Sequence, residues 1–250
     1  MDYLIVLGGD GTILASVRAL GDRQVPVIGV NIGKLGFLAE FSIPQLQEHF
    51  ERIVADPNLI SRRTMLQCRI DGPGRSESFS TLAVNEVALT AGPPFRMIEV
   101  SISIGEEHLA LCTGDGLVVA TPTGSTAYNL SAGGPILMST LAAAVITPLA
   151  AHSLSFRPVV VDLARDIRLR CRESHARPAP DHRDHGCWGA AVVAVDGQVT
   201  SPVHAEDTIT ITRAQPCFHL VHHPQESQWR LLNRKLNWGA LPNYAHDRPR

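Results

Sequence analysis

The first thirty residues combine an apolar run, a glycine-rich turn and a periodic segment in an order that few folds accommodate. The run DYLIVL (2–7) is rich in strand formers and leads into the turn GGDGT (8–12). In segment 13–20 the apolar residues recur at helical spacing, and VPVIGVN (25–31) has the composition of a second buried strand. Strand, helix and strand in this order predict a βαβ unit and therefore a parallel sheet.

The pattern changes along the rest of the chain. A second helix is predicted over 42–56, with Ser42 as its N-cap. From about Ser61 the apolar period becomes two, as in MIEVSISIG (97–105), which is typical of half-buried antiparallel strands. The tail is helical again: Trp229, Leu232 and Leu236 form one predicted apolar face, and Gly239 is a candidate C-cap.

Composition excludes several classes of protein. The 250 residues carry a formal net charge of −2 and 5% aromatic residues, so neither an electrostatic nor a stacking surface for nucleic acid is indicated. No signal peptide is recognisable, and the longest apolar stretch (141–151) is too short to span a membrane. The five scattered cysteines do not form a disulfide framework. We therefore expect a cytoplasmic protein that binds neither nucleic acid nor membrane.

Three polar motifs interrupt the apolar pattern. GGDGT carries Asp10 where a glycine loop usually cradles phosphate with bare N–H groups. LAVNEVALT (82–90) reads as one strand with Asn85 and Glu86 adjacent, so that one of the two side chains would face inward. GDGLVVATPTGSTAYNLSAGGP (114–135) reads as a strand and a hydroxyl-rich turn that opens a helix. That helix N-terminus is a second candidate platform for an anion or a polar ligand.

Each motif also has a purely structural interpretation. GGDGT can be a tight turn in which Asp10 or Thr12 caps the helix. Asn85 can lie at a bend while Glu86 faces water, and the hydroxyl-rich turn can be a well-capped helix start. A zinc site formed by His175, His182, His185 and Cys187 is not favoured, since their spacing matches no paired-ligand pattern. No metal-ligating set is therefore identified.

Taken in this order, the three motifs resemble those of the NAD kinase family. The resemblance extends through HSLSFRPVVV (152–161), VDGQ (195–198) and LLNRKLNWG (231–239), and it covers most of the chain except segment 171–187, which resembles an insertion. It implies an α/β nucleotide-kinase-like (Rossmann-like) domain plus a β-rich, β-sandwich-like domain. The implied boundaries are 1–60 with 222–250 for the phosphate-donor domain and 61–221 for the NAD-binding domain.

The resemblance also implies a reaction and its residues. The terminal phosphate of ATP or polyphosphate would pass to the adenosine-ribose 2′-hydroxyl of NAD, with Mg²⁺ or another divalent cation, to give NADP. Asp10 would accept the proton, and the donor loop would comprise Gly8, Gly9, Gly11 and Thr12. The positions implied for NAD binding are Gly11, Asn85, Glu86, Thr113, Asp115, Thr123, Thr126, Ala127, Tyr128, Ser131, Ala150 and Gln198.

Two departures and two alternatives accompany this interpretation. The family has a further strand and helix before GGDGT, and a neutral Thr113 stands where some relatives carry a basic residue, which bears on the choice between NAD and NADH. The alternatives are a non-catalytic NAD(P)-binding module and a lipid kinase of the diacylglycerol or sphingosine type, which shares GGDGT. Relatives assemble as homodimers or homotetramers, so we expect the same here.

Overall fold

The computed structural model of the chain describes residues 2–33, 36–93, 95–172, 191–204 and 206–238. Its α-helices are α1 (Asp10–Leu20), α2 (Ile43–Ala55), α3 (Tyr128–Ser131) and α4 (Gln228–Leu236). Its strands are β1 (Leu4–Leu7), β2 (Val27–Val30), β3 (Ile60–Arg63), β4 (Leu66–Asp71), β5 (Phe79–Ala83), β6 (Glu86–Ala91), β7 (Ile98–Ile104), β8 (Glu107–Gly114), β9 (Gly116–Ala120), β10 (Ala143–Leu149), β11 (Val159–Asp162), β12 (Ile167–Arg172), β13 (Ala191–Val195), β14 (Val199–Val203), β15 (Thr208–Arg213) and β16 (Phe218–Val221). No helix of the described residues is long and apolar enough to cross a membrane.

The chain divides into two compact units. The α/β unit comprises Asp2–Ile13, Pro26–Ser61 and the chain from Leu220 onward. The β unit comprises Leu14–Val25 and Arg62–His219. Helix α1 therefore begins in the α/β unit, and its second half belongs to the β unit.

The α/β unit is built on a four-stranded sheet in the order β1-β2-β16-β3. Strands β1 and β2 pair in parallel, as the predicted βαβ opening requires, and β16 joins β2 in parallel. The fully buried strand β2 packs Ile28 and Val30 with Phe41, Ile53 of α2 and Val221 of β16. The last strand of the fold thus lies inside the sheet that the first strands begin.

Local sequence explains where the helices of this unit begin. Ser42 caps α2 through a capping box with Gln45, and a proline occupies the first turn, so the predicted helix is confirmed. Helix α4 begins after Ser227 and buries Leu231 and Leu232. The predicted face is only partly correct there, because Trp229 is exposed and Leu231, which the pattern missed, is buried. Gly239 lies outside the described residues.

The β unit is a sandwich of two six-stranded sheets, in the orders β11-β10-β9-β6-β13-β14 and β5-β4-β15-β12-β7-β8. One apolar cluster draws side chains from both sheets, among them Leu89 and Leu117 from the first and Ile102 and Ile209 from the second. The period-two prediction for β7 is confirmed, since its apolar side chains are buried and its polar ones are partly exposed. The predicted α/β plus β-sandwich fold is therefore the observed one.

Two segments differ from their predicted form, and both lie at candidate site motifs. Segment 82–90 is not one strand: the chain leaves one sheet at Ala83 and enters the other at Glu86, turning at Val84 and Asn85. The helix predicted after PTGST is a short 3-10 turn followed by the single turn α3. Gly133, with φ 84°, ends it directly. A helix this short supplies no N-terminal anion site.

Candidate active site

The glycine loop of the α/β unit turns the chain sharply from β1 into α1. The Gly8 N–H donates to the carbonyl of Val30 at 2.9 Å, which fixes the end of β1 against β2. A Cβ on Gly8 would lie 2.6 Å from Oγ1 of Thr12, so only glycine fits there. Helix α1 begins at Asp10, and its first turn carries the positive end of the helix dipole. The loop therefore has the build of a phosphate-binding turn.

The carboxylate of Asp10 is held by the backbone that follows β2. Oδ2 accepts the N–H of Phe37 at 2.8 Å, and Oδ1 accepts those of Leu38 and Ala39 at 3.0 and 3.2 Å. A Cβ on Gly36 would lie 1.8 Å from Oδ1, so glycine is required for this close approach. Three donors fix the orientation of the carboxylate, while Oδ2 accepts only one of them and keeps capacity for another partner.

A cation from the C-terminal helix lies within electrostatic reach of this carboxylate. Burial lowers the pKa of Lys235 on α4, and the negative charge of Asp10 acts in the opposite direction. The sequence did not single out Lys235, since a basic residue in the last turn of a helix is ordinary. The α/β unit therefore combines a glycine loop, a fixed carboxylate and a nearby ammonium group.

The β unit holds the second candidate motif at the point where the chain changes sheets. Oδ1 of Asp196 accepts the N–H groups of Asn85 and Glu86 at 2.7 and 3.1 Å, and Oδ2 accepts that of Val84 at 3.1 Å. From the other side, Thr121 donates its hydroxyl to the Val84 carbonyl at 2.6 Å. The segment that carries Asn85 and Glu86 is thus held on both sides.

Glu86 is buried, contrary to the solvated alternative. Its carboxylate accepts the backbone N–H of Tyr128, and its Oε2 has no hydrogen-bond partner among the described residues. Burial, reinforced by the negative charge of Asp196, raises its pKa to about 7. Asn85 is partly exposed at the bend itself. A buried acceptor without a donor is an expensive feature unless a ligand completes it.

The hydroxyl-rich turn packs directly against this segment. A Cβ on Gly124 would lie 2.1 Å from the carbonyl oxygen of Asn85. The turn uses two of its hydroxyls internally, since Ser125 donates to the Pro122 carbonyl and Thr126 to that of Thr123. By contrast, Oγ1 of Thr123 is buried and has no partner among the described residues. Ala127 and Thr126 are partly exposed beside the turn, and Tyr128 and Ser131 are exposed.

The remaining implied NAD positions separate into two groups. Gln198 lies at the Glu86 end, in the hairpin that Asp196 begins, and its side chain accepts a hydrogen bond from Arg18. Thr113, Asp115 and Ala150 lie together at the opposite end of β6 and β9. There the backbone carbonyl of Asp115 accepts the N–H of Ala91, and the backbone N–H of Asp115 donates to the carbonyl of Leu149. Ala150 has φ 44°, a strained value for a residue with a Cβ. The structure does not bring these three residues to Glu86.

Sequence reasoning missed Asp196, Arg18 and the loop 36–39. The Asp-Gly pair of VDGQ stands between two strand-like runs and could have predicted a tight hairpin there, which both residues form with positive φ. Glycines at 33 and 36 shortly after a buried strand could have indicated a close backbone approach. No local signal marks Arg18, whose partner lies 178 residues away.

The α/β unit carries a glycine loop with a fixed carboxylate, and the β sandwich carries a buried acceptor site. These features are typical of a two-unit phosphotransferase. Family models agree: the model of the ATP-NAD kinase N-terminal domain matches residues 1–57, and that of the C-terminal domain matches residues 84–223. The chain belongs to the NAD kinase family.

Individual relatives support this membership. The chain is 38% identical over 239 residues to the NAD kinase of Heliobacterium modesticaldum, covering 96% of this chain and 80% of the relative. It is 40% identical to that of Aeromonas salmonicida, covering 96% and 77%. Yeast NADH kinase complexed with NADH superimposes with a TM-score of 0.85 at 31% identity, over 97% of this chain and 67% of that one. An Archaeoglobus fulgidus NAD kinase in complex with ATP gives 0.75 at 26% identity, over 95% and 83%.

Proposed function

We propose that this chain transfers the terminal phosphate of ATP to the 2′-hydroxyl of the adenosine ribose of NAD, forming NADP. The observation that carries the proposal is the pair of buried, unpartnered oxygens on Glu86 and Thr123. Ribose hydroxyls are donors of the kind that Glu86 lacks, and Asn85 lies beside it. The acyl chain of a lipid substrate would leave these oxygens unpaired, so the geometry disfavours a lipid kinase.

In this proposal Asp10 accepts the proton of the ribose hydroxyl as its oxygen attacks the terminal phosphorus. The hydroxyl becomes a competent nucleophile only when its proton has an acceptor, and a positioned base contributes about 10²–10⁴-fold. The amides of residues 37–39 keep the carboxylate in one orientation for this role. We assign the donor to the α/β unit and NAD to the β unit, with Gly9, Gly11 and Thr12 in the donor loop.

The donor and its cation are part of the same proposal. A relative with ATP bound supports ATP, and polyphosphate remains an alternative donor that the assay distinguishes. No group of three or more His, Cys, Asp and Glu among the described residues has the arrangement of a metal site. Mg²⁺ is commonly held by one or two carboxylates together with substrate phosphates, and Oδ2 of Asp10 has capacity for such a contact. The cation would neutralise charge on the transferred phosphate.

We further propose that the enzyme works as a homo-oligomer in the cytoplasm. Thr113, Asp115 and Ala150 lie at the far end of the strands from Glu86, so one copy cannot use both groups around one adenosine. A second copy would bring them to the site of the first. The four cysteines within the described residues are free thiols, as a reducing compartment requires.

The test is an assay in which the purified chain is incubated with NAD, Mg²⁺ and either ATP or polyphosphate, and the formation of NADP is measured. Asp10→Asn should lower kcat by about 10²–10⁴-fold while the Kd for NAD changes little. Asn still accepts the amides of Leu38 and Ala39 through Oδ1, so the loop is largely preserved. Asp22→Asn, an exposed aspartate just after α1, is the matched control. Wild-type turnover in Asp10→Asn would refute the assignment, and NAD binding without NADP formation would favour the binding module.

A further inference from the structure

The change of sheet at Val84 and Asn85 leaves three consecutive amides without a strand to pair with. A single side chain, Asp196, accepts all three at 2.7–3.1 Å. Asp196 also donates its own N–H to the Glu86 carbonyl at 3.0 Å. The position of the Asn85–Glu86 segment is therefore determined by one carboxylate that lies 110 residues away in the sequence.

This carboxylate is fully enclosed and has one charged partner. The side chain of Asp196 has no exposed surface, and Nη1 of Arg18 lies 3.1 Å from its Oδ2. The other guanidinium nitrogen donates to Oε1 of Gln198, which holds Arg18 in a forked contact. Breaking such a pair leaves a buried charge uncompensated, which costs far more than losing a surface ion pair. Arg18 therefore compensates the charge that organises the segment.

The same carboxylate also acts on Glu86 through space. Glu86 faces two polar groups, the Asp196 carboxylate and the Tyr128 N–H, and Arg18 in turn faces Asp196. Removing the negative charge of Asp196 should ease ionisation of Glu86, whereas removing Arg18 should make it harder. Asp196 and Arg18 can have these effects on Glu86 without contacting a ligand.

We propose that Asp196 and Arg18 are positioning residues for NAD, which act by fixing the backbone of Asn85 and Glu86 and by setting the field at the Glu86 carboxylate. The proposal rests on the proposed function, in which Glu86 binds the ribose as a carboxylate. A structural role alone would change stability only. A positioning role changes NAD affinity and its pH dependence in directions that differ between the two residues.

The experiment measures the Kd for NAD by calorimetry, and KM for NAD and for ATP, from pH 5.5 to 8.5. Asp196→Asn should raise Kd and KM for NAD about tenfold or more at pH 8, leave KM for ATP unchanged, and shift the pH profile of NAD binding downward. Arg18→Met should raise the same constants and shift the profile upward. Arg18→Lys retains the charge and should keep the wild-type profile.

Matched controls are Arg23→Met and Asp162→Asn, two exposed residues of the β unit of which Asp162 caps a turn. Both should behave as wild type. If Asp196→Asn does not fold, the upward shift in Arg18→Met, set against the wild-type profile in Arg18→Lys, decides the question. Unchanged NAD affinity and pH profile in the folded variants overturn the positioning role while the enzyme still makes NADP. A wild-type enzyme that makes no NADP from NAD contradicts the proposed function instead.

Discussion

In the proposed function Glu86 binds the ribose as a carboxylate, yet a carboxylate is costly to bury. Its pKa of about 7 lies well above its ordinary value, so the folded apo protein keeps a proton that the unfolded chain has released. Stability from this group is therefore full at acid pH and is lost as pH rises through about 7. Wild-type Glu86 thus makes the apo protein less stable at alkaline pH.

We expect Glu86→Gln to be more stable than wild type at pH 8, by an amount on the order of 3 kcal/mol, and nearly equal at pH 5. Because glutamine carries no charge, its NAD affinity should fall about 10-fold or more at pH 8. Urea unfolding at both pH values and calorimetry with NAD measure the two effects. Glu99→Gln, on the partly exposed face of β7, is the control. A variant less stable than wild type at pH 8 would contradict the burial argument.

Gly36 gives a second test at the residue scale, because its missing side chain lets the loop approach Asp10. Gly36→Ala would place a Cβ 1.8 Å from Oδ1, so the carboxylate or the loop must move. Because Asp10 is the base in the proposed function, its displacement should lower kcat by about 10²-fold. Gly33→Ala, in the same loop with open space around it, should retain wild-type kcat. Equal kcat values for the two variants would show that the fixed orientation of Asp10 is not needed.

At the scale of elements, the chain after β16 is tied to α2 through a cluster of histidines and one glutamate. Glu40 accepts the N–H of His223 at 3.0 Å and contacts Nδ1 of His222 at 2.7 Å. The ring of His223 is buried between Phe41 and the edge of His49. Burial lowers the pKa of His223, and His49 and Arg234 act in the same direction against Glu226 and Glu40.

This arrangement predicts acid sensitivity of the α/β unit. The folded pKa of His223 lies below the unfolded one, so its contribution to stability is full above about pH 6.5 and is lost as pH falls. Nδ1 accepts the N–H of Gln225, and protonation there would also break that bond. His223→Gln should flatten the decline of Tm between pH 7 and pH 5, whereas His108→Gln, on an exposed hairpin, should not. The same slope in all three proteins would rule out His223 as the cause.

Elements with purely local causes could be predicted from the sequence, and those with remote causes could not. The capping box of α2 and the alternation of β7 are determined by residues that are close together in the sequence. The break at Val84 is not, because the apolar run around it has no glycine or proline and its stabilising carboxylate comes from Asp196. The candidate site followed the same rule: Asp10 and Glu86 stood out in motifs, whereas Arg18 had no signal before its partner was known.

At the scale of the whole molecule, the implied NAD positions separate into two groups about 16 Å apart, which is five residues along β6 and β9. One group surrounds Glu86 and the other comprises Thr113, Asp115 and Ala150. If two copies share each site, a variant substituted in one group and a variant substituted in the other should restore activity when they are mixed.

We expect Glu86→Ala and Asp115→Ala to be nearly inactive separately and to recover activity when mixed and reassembled. In a dimer formed at random, half the molecules are mixed and each has one intact site, so about a quarter of wild-type activity should return. Light scattering during chromatography confirms the assembly state. The control is the Glu86→Ala variant alone, dissociated and reassembled in the same way. No recovery in an assembled mixture would mean that one copy supplies both groups, or that Asp115 has no role.

The order of strands in the α/β sheet has a consequence for how the chain is made. Strand β16 lies between β2 and β3, so this sheet lacks an internal strand until about 220 residues have left the ribosome. The sandwich, whose strands all fall within Arg62–His219, is complete earlier. During synthesis one edge of β2 therefore stays unpaired until β16 has been made. Such an edge is a template for association with other chains. Truncation before Phe218 should therefore yield a chain that aggregates through its first sixty residues.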